Sequence, residues 1–252
     1  MIAIVSFSAL VGLLVGSFLN VVAARLPKGM SLVTPGSHCP GCGIEVRPQD
    51  NIPVLSWLLL GRRCRGCRQP ISARYPLVEA GTAALLGAAA AVHVDDTPQL
   101  VLGAVLALFL VPMALIDADH RIIPNKLTAP AAVVAIALGL ALDPAGEPER
   151  LIAGLAAGGL FLLAALARPG GMGMGDVKLA GVLGLFLGGA VAVALMTALV
   201  LGTLVGAIVI ARVGAEAGRK TAVPFGPFLA VGGVVAVLVG DPLISAYLGT
   251  FA

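Results

Sequence analysis

A chain of 252 residues that is 59% hydrophobic and only 12% charged, with mean hydropathy +1.03, lies far from the roughly 25% charged residues of a soluble domain. The composition excludes a soluble binding module and describes a polytopic membrane protein. The net charge of +3, from 16 basic and 13 acidic residues, invites no nucleic-acid partner; topology and contact with anionic membrane lipids account for it.

A membrane crossing needs about 20 apolar residues to span roughly 30 Å of hydrocarbon. Apolar stretches broken by polar or helix-breaking residues predict eight helices, at 2–24, 76–94, 98–116, 127–142, 150–167, 178–191, 193–211 and 225–241. The first stretch has no basic residues before it and is followed by Arg25 and Lys28, which marks a retained span with its N-terminus outside and not a cleaved signal peptide. Alternate threading then puts fifteen of the sixteen Lys and Arg residues on one side, including Arg62, Arg63, Arg65, Arg68, Arg121, Lys126, Lys178, Arg219 and Lys220, and leaves only Arg150 on the other. By the positive-inside rule the crowded side is the cytoplasm, with Asp95, Asp96, Asp143, Glu147 and Glu149 outside. The expected fold class is therefore an all-α polytopic membrane protein of about eight transmembrane helices.

Between the first two helices lies the largest polar segment, residues 25–75, and it holds all four cysteines. They occur as Cys39-Pro40-Gly41-Cys42 and Cys64-Arg65-Gly66-Cys67. Two such knuckles, each offering two thiolates, match a tetrahedral zinc site with Cys39, Cys42, Cys64 and Cys67 as ligands. Disulfides are disfavoured on a cytoplasmic face, and no strand and helix context supports a thioredoxin-like redox motif. Four thiolates leave no coordination position for water, so the metal is expected to be structural, stapling a segment too small for its own core. His38 adjoins Cys39 and reads as a solvated neighbour, with substitution as a ligand the alternative. A catalytic zinc protease finds no support, because no H-E-x-x-H occurs. The domain organisation expected from these features is 1–24 as a first transmembrane helix, 25–75 as a cytoplasmic zinc-binding segment, and 76–252 as a membrane domain.

That membrane domain carries two aspartates at the ends of apolar segments. Asp117 lies in Ile116-Asp117-Ala118-Asp119-His120-Arg121-Ile122-Ile123-Pro124-Asn125, and Asp176 in Gly173-Met174-Gly175-Asp176. Carboxylates at bilayer depth are expensive and mark function by default. The run from Pro169 to Gly175 interrupts helix and predicts irregular backbone just ahead of Asp176. Two facing carboxylates and one water suffice for peptide hydrolysis: one polarises the scissile carbonyl, its partner deprotonates the water, and mutual repulsion keeps one proton between them. A polar stretch such as 117–121 is also what an ordinary loop contains, and it is the second aspartate on the same side that favours catalysis. A proton-relaying transporter or assembly factor is the alternative class, although no internal repeat of the transporter kind is visible.

These residues resemble a known family, the type IV prepilin peptidases, membrane aspartyl proteases of the GxGD kind. The resemblance runs through Gly16-Ser17-Phe18-Leu19-Asn20, Arg25-Leu26-Pro27, Ser37-His38-Cys39-Pro40, Asp50-Asn51-Ile52-Pro53, both cysteine pairs, Ile71-Ser72-Ala73-Arg74-Tyr75-Pro76, Ile116-Asp117 through Asn125, and Gly173 to Leu179. The family pattern sets its first catalytic Asp six residues before the Ile of Ile-Pro, which selects Asp117 over Asp119; the second is Asp176. The resemblance implies removal of the basic leader of prepilins and pseudopilins after a Gly, at the cytoplasmic edge of the inner membrane, in service of a pilus or of protein secretion. It also implies that a chain with the four-cysteine segment methylates the new N-terminal amine from S-adenosylmethionine, which would make 25–75 the methyltransferase part and 76–252 the peptidase. A peptidase without methyl transfer is the alternative within the family.

Overall fold

The structure is a computed structural model that describes residues 1–168, 171–214 and 223–250. Pro169 and Gly170 of the expected helix break, and Arg219 and Lys220 of the expected cytoplasmic charge, lie outside the described residues. Among the described residues, eight helices stand where eight were expected: α1 Ile2–Arg25, α3 Arg74–Val92, α4 Thr97–His120, α5 Asn125–Leu142, α6 Glu147–Ala167, α7 Met174–Leu187, α8 Val191–Val213 and α9 Gly226–Gly249, with a short α2 at Leu55–Leu59. Among the described residues there is no strand, only the isolated bridges His38 to Glu45 and Arg63 to Pro70. Among the described residues, seven stretches are long and apolar enough to cross a membrane, α7 and α8 together forming one of 40 residues. Alone, the 14 residues of α7 rise about 21 Å, short of the roughly 30 Å of hydrocarbon. The chain is a multi-pass membrane protein. Two compact units divide it, Met1–Ala91 and Val92–Ala252.

The first unit is a helix pair with the cysteine segment between its members. In lipid no hydrophobic force drives helices together, so close backbone approach through small residues must do so. Gly12 and Gly16 supply it: a Cβ on Gly12 would lie 2.6 Å from Ala83 Cα, and one on Gly16 2.9 Å from Glu79 Cα. Polar groups then tie the segment down. Asn20 donates to the carbonyls of Gly16 and Tyr75, Arg25 to those of Ser31 and Gly36, and Trp57 Nε1 to Ile71 O at 3.0 Å. The buried Glu79 accepts the Val54 N–H at 2.7 Å, and Val54 sits at φ 61, ψ −50, a region that a β-branched residue rarely adopts. Local hydrogen bonds here do what a large apolar core does elsewhere.

The second unit packs α4 to α9 around Leu106, Leu110, Met113, Leu179, Leu183 and Leu229, all almost fully buried. Glycines set its tightest crossings. A Cβ on Gly184 of α7 would lie 2.5 Å from Gly154 N and 2.6 Å from Ala153 O of α6, backbone atoms that have no rotamer to escape into. Gly184→Val is therefore expected to push α6 from α7 and to destabilise the unit by about 1–3 kcal/mol or more, read as a lower melting temperature of the purified protein. Between α5 and α6, Arg150 is buried and bonded to Glu147 Oε2 at 3.0 Å, to Asp143 Oδ2 at 2.8 Å and to the carbonyls of Asp143 and Gly139. The guanidinium holds the Asp143 carboxyl below the usual carboxylate range. The one basic residue that stood apart in the charge pattern is thus committed to a helix turn.

Candidate active site and metal centre

Both aspartates sit in the terminal turns of helices and not in the loops beyond them. α4 runs to His120, four residues past its expected end, because Arg121 adopts a left-handed conformation (φ 56) and donates its N–H to Asp117 O at 2.8 Å. Asp117 consequently occupies the last turn of α4 and is only 5% exposed, whereas Asp119 faces outward. α7 likewise starts four residues earlier than expected, with Gly173 as its N-cap, so Asp176 lies in the first turn and is half-buried.

Two contacts draw these turns together. Gly175 packs on the loop after α4, where a Cβ would approach Ile123 Cβ to 3.0 Å. Lys178 Nζ donates to Asn125 Oδ1 at 2.8 Å, joining the first turn of α5 to α7. The two contacts set the last turn of α4, which carries Asp117, beside the first turn of α7, which carries Asp176. A third partner was not foreseen from sequence: the Gly226 N–H donates to Asp117 Oδ2 at 2.9 Å. The signal available was a glycine between Pro224 and Pro227 at the head of an apolar run, which marks a helix start but says nothing of what that start touches.

In the first unit the four cysteines converge. Their Sγ atoms all lie within 4.8 Å of one another, with Cys39 to Cys67 at 3.7 Å and Cys42 to Cys64 at 3.9 Å. A tetrahedron with zinc–sulfur bonds of 2.3 Å has edges of about 3.8 Å, so the spacing fits that ion. All four are free thiols. The two knuckles repeat one backbone pattern: Cys39 N–H donates to Ile44 O and Gly43 N–H to Cys39 O, while Cys64 N–H donates to Gln69 O and Arg68 N–H to Cys64 O. The left-handed position is Gly43 (φ 71) in one and Arg68 (φ 61) in the other.

The amides of Gly41 and Cys42 and hydrogen bonds with Cys64 and Cys42 pull the Cys39 thiol down to about 6, desolvation acting against them. At Cys67 the Gln69 amide also lowers the value, but desolvation and hydrogen bonds with Cys42, Cys39 and Cys64 outweigh it and push it up to about 11. Crowded thiols thus resist becoming four anions unless a cation joins them. His38 stands outside the cluster, with Nδ1 3.1 Å from Gly36 O. A bidentate pair from Arg65 to Asp50, at 2.8 and 2.6 Å, fastens the second knuckle to the turn at Pro48–Asp50 and holds the Asp50 carboxyl below its ordinary range.

Residues 10–93 match the family model of the bacterial peptidase A24 N-terminal domain, and residues 104–211 that of the type IV leader peptidase family. The prepilin leader peptidase/N-methyltransferase of Pseudomonas aeruginosa is 38% identical over 282 residues, covering 98% of this chain and 94% of that protein. Its counterpart of the same description in Stutzerimonas stutzeri is 36% identical with the same coverage. The one in Myxococcus xanthus is 44% identical over 188 residues, 72% of this chain and 55% of that protein. No solved structure matches.

Proposed function

The chain belongs to the type IV leader peptidase family, and on that premise we propose that it is a bifunctional prepilin leader peptidase and N-methyltransferase of the inner membrane whose peptidase centre is the Asp117 and Asp176 dyad. The observation that carries the assignment is that packing of Gly175 on Ile123 and the Lys178 to Asn125 bond bring together the turns of α4 and α7 that bear two carboxylates, one buried and one half-buried. One carboxylate takes a proton from water and the hydroxide attacks the carbonyl that the protonated partner polarises. The tetrahedral intermediate then expels the amine as the C–N bond breaks, and the proton returns to the nitrogen. A prepilin has a basic leader and an apolar segment after it, so its scissile bond lies at a membrane edge. The positive-inside pattern makes that edge cytoplasmic.

In this reading Cys39, Cys42, Cys64 and Cys67 hold one structural zinc ion, which orders residues 25–75 and does not touch the peptide. The first unit carries methyl transfer and the second hydrolysis. S-adenosylmethionine supplies the methyl group, and the protein's task is to hold a deprotonated amine in line with it, a matter of positioning.

Co-expression with a prepilin bearing a Gly-Phe junction tests the reading directly. The mature product is expected to begin with Phe and to be heavier by one methyl group. An uncut prepilin in the presence of folded enzyme would sink the peptidase assignment, and a cut but unmethylated product would sink the second activity.

A further inference from the structure

The first turn of α9 has no capping side chain of its own. A helix start leaves N–H groups without intrahelical partners, and here those of residues 226–229 can be followed. Phe228 and Leu229 donate to Phe225 O at 3.0 and 3.1 Å, and Pro227 has no N–H. Gly226 donates to Asp117 Oδ2. The acceptor that caps α9 therefore comes from another helix, 109 residues earlier in the chain, and is one of the two aspartates of the proposed dyad.

The site is built for this contact. A Cβ at residue 226 would lie 2.7 Å from Asp117 Oδ2 and 3.0 Å from its Cγ, so any other residue displaces the carboxylate. The peptide before Gly226 is aimed by an aromatic cluster: the Phe225 ring packs on Phe161 and Phe228, with centroids 6.2 and 6.0 Å apart. Gly202 makes room for it, since a Cβ there would approach Phe225 Cε2 to 3.0 Å.

We propose that the start of α9 is the third element of the peptidase centre: the Gly226 amide is a positioning group that holds Asp117 Oδ2 and leaves Oδ1 as the oxygen that exchanges protons with water and Asp176. Asp117 is then both a catalytic residue and the cap of α9. The proposal deepens the dyad reading and rests on it for catalysis, while the capping half stands independently.

Two measurements on the purified full-length protein test it. In Gly226→Ala, kcat per folded enzyme is expected to fall roughly 10- to 100-fold, since misplacing a reacting group by about 1 Å costs that much. KM for prepilin should stay within about twofold, because the residue does not hold the substrate. A residue that served only the fold would reduce the yield of folded enzyme and leave kcat intact, and that result overturns the proposal. The second measurement holds even if Gly226→Ala does not fold. Asp117→Asn keeps an oxygen for the Gly226 amide and Asp117→Leu does not, so the Leu variant is expected to melt about 2–4 °C or more below the Asn variant. Equal melting temperatures overturn the cap. Should the wild-type chain cut no prepilin, the dyad reading fails on that result alone, and the melting comparison still decides whether Asp117 caps α9.

Discussion

Replacing Asp117 or Asp176 with Asn is expected to remove leader cleavage, each lowering kcat by about 10² to 10⁴. An amide keeps the size and one acceptor of the carboxyl but cannot take a proton from water and return it to the leaving amine. If the two carboxyls act on one proton, as proposed, the double variant should be scarcely slower than either single one; effects that belong to a unit do not multiply. Asp119→Asn is the internal control. It lies two residues from Asp117 on the same helix but is exposed, and it should retain activity within a fewfold of the wild type. Cleavage that survives Asp117→Asn and is lost in Asp119→Asn would mean that the register is wrong by half a turn. Single-turnover cleavage of a prepilin in vesicles reads all four variants without interference from product release.

The fold was legible because lipid is a demanding solvent. Every backbone polar group must be paired within the segment, so a long apolar run has little choice but helix, and α1, α3, α5 and α8 lie within a few residues of where composition put them. The ends were less legible. α4 was expected to stop at Ile116, since Asp117-Ala118-Asp119-His120 reads as a polar loop; the helix instead runs to His120 and closes with Arg121 in the αL conformation, its N–H on Asp117 O. α7 was expected to start after the glycine run, yet it starts inside it at Met174, and Gly175 in its first turn lies against Ile123, where a Cβ would come within 3.0 Å. For the same reason the two aspartates could be nominated from sequence while Gly226 could not. A carboxylate in an apolar run announces its own expense, whereas a backbone N–H is present at nearly every residue and becomes informative only when the fold shows where it points.

The four thiols could be nominated for zinc on spacing alone, and here the largest effect on stability is expected. Purified protein should carry about one zinc per chain by elemental analysis. Free energies of zinc binding to small structural sites are on the order of 10 kcal/mol, more than a segment lacking a core can replace. Cys39→Ser with Cys64→Ser takes one ligand from each knuckle and leaves two thiols, too few for a closed site. The double variant is expected to lose its zinc and to expose residues 30–74 to protease, since only the bonds donated by Arg25 and Trp57 and the one that Glu79 accepts from the Val54 N–H then hold an unstapled loop. Hydrolysis should continue, because the dyad belongs to a unit with its own core and needs only water. Methyl transfer requires a second substrate aligned with the new amine, and if the first unit provides that alignment the product will be correctly cut but one methyl group lighter. A fully methylated product from the zinc-free variant would move the donor site out of the first unit, and stoichiometric disulfides in freshly isolated wild-type protein would remove the metal from the account altogether.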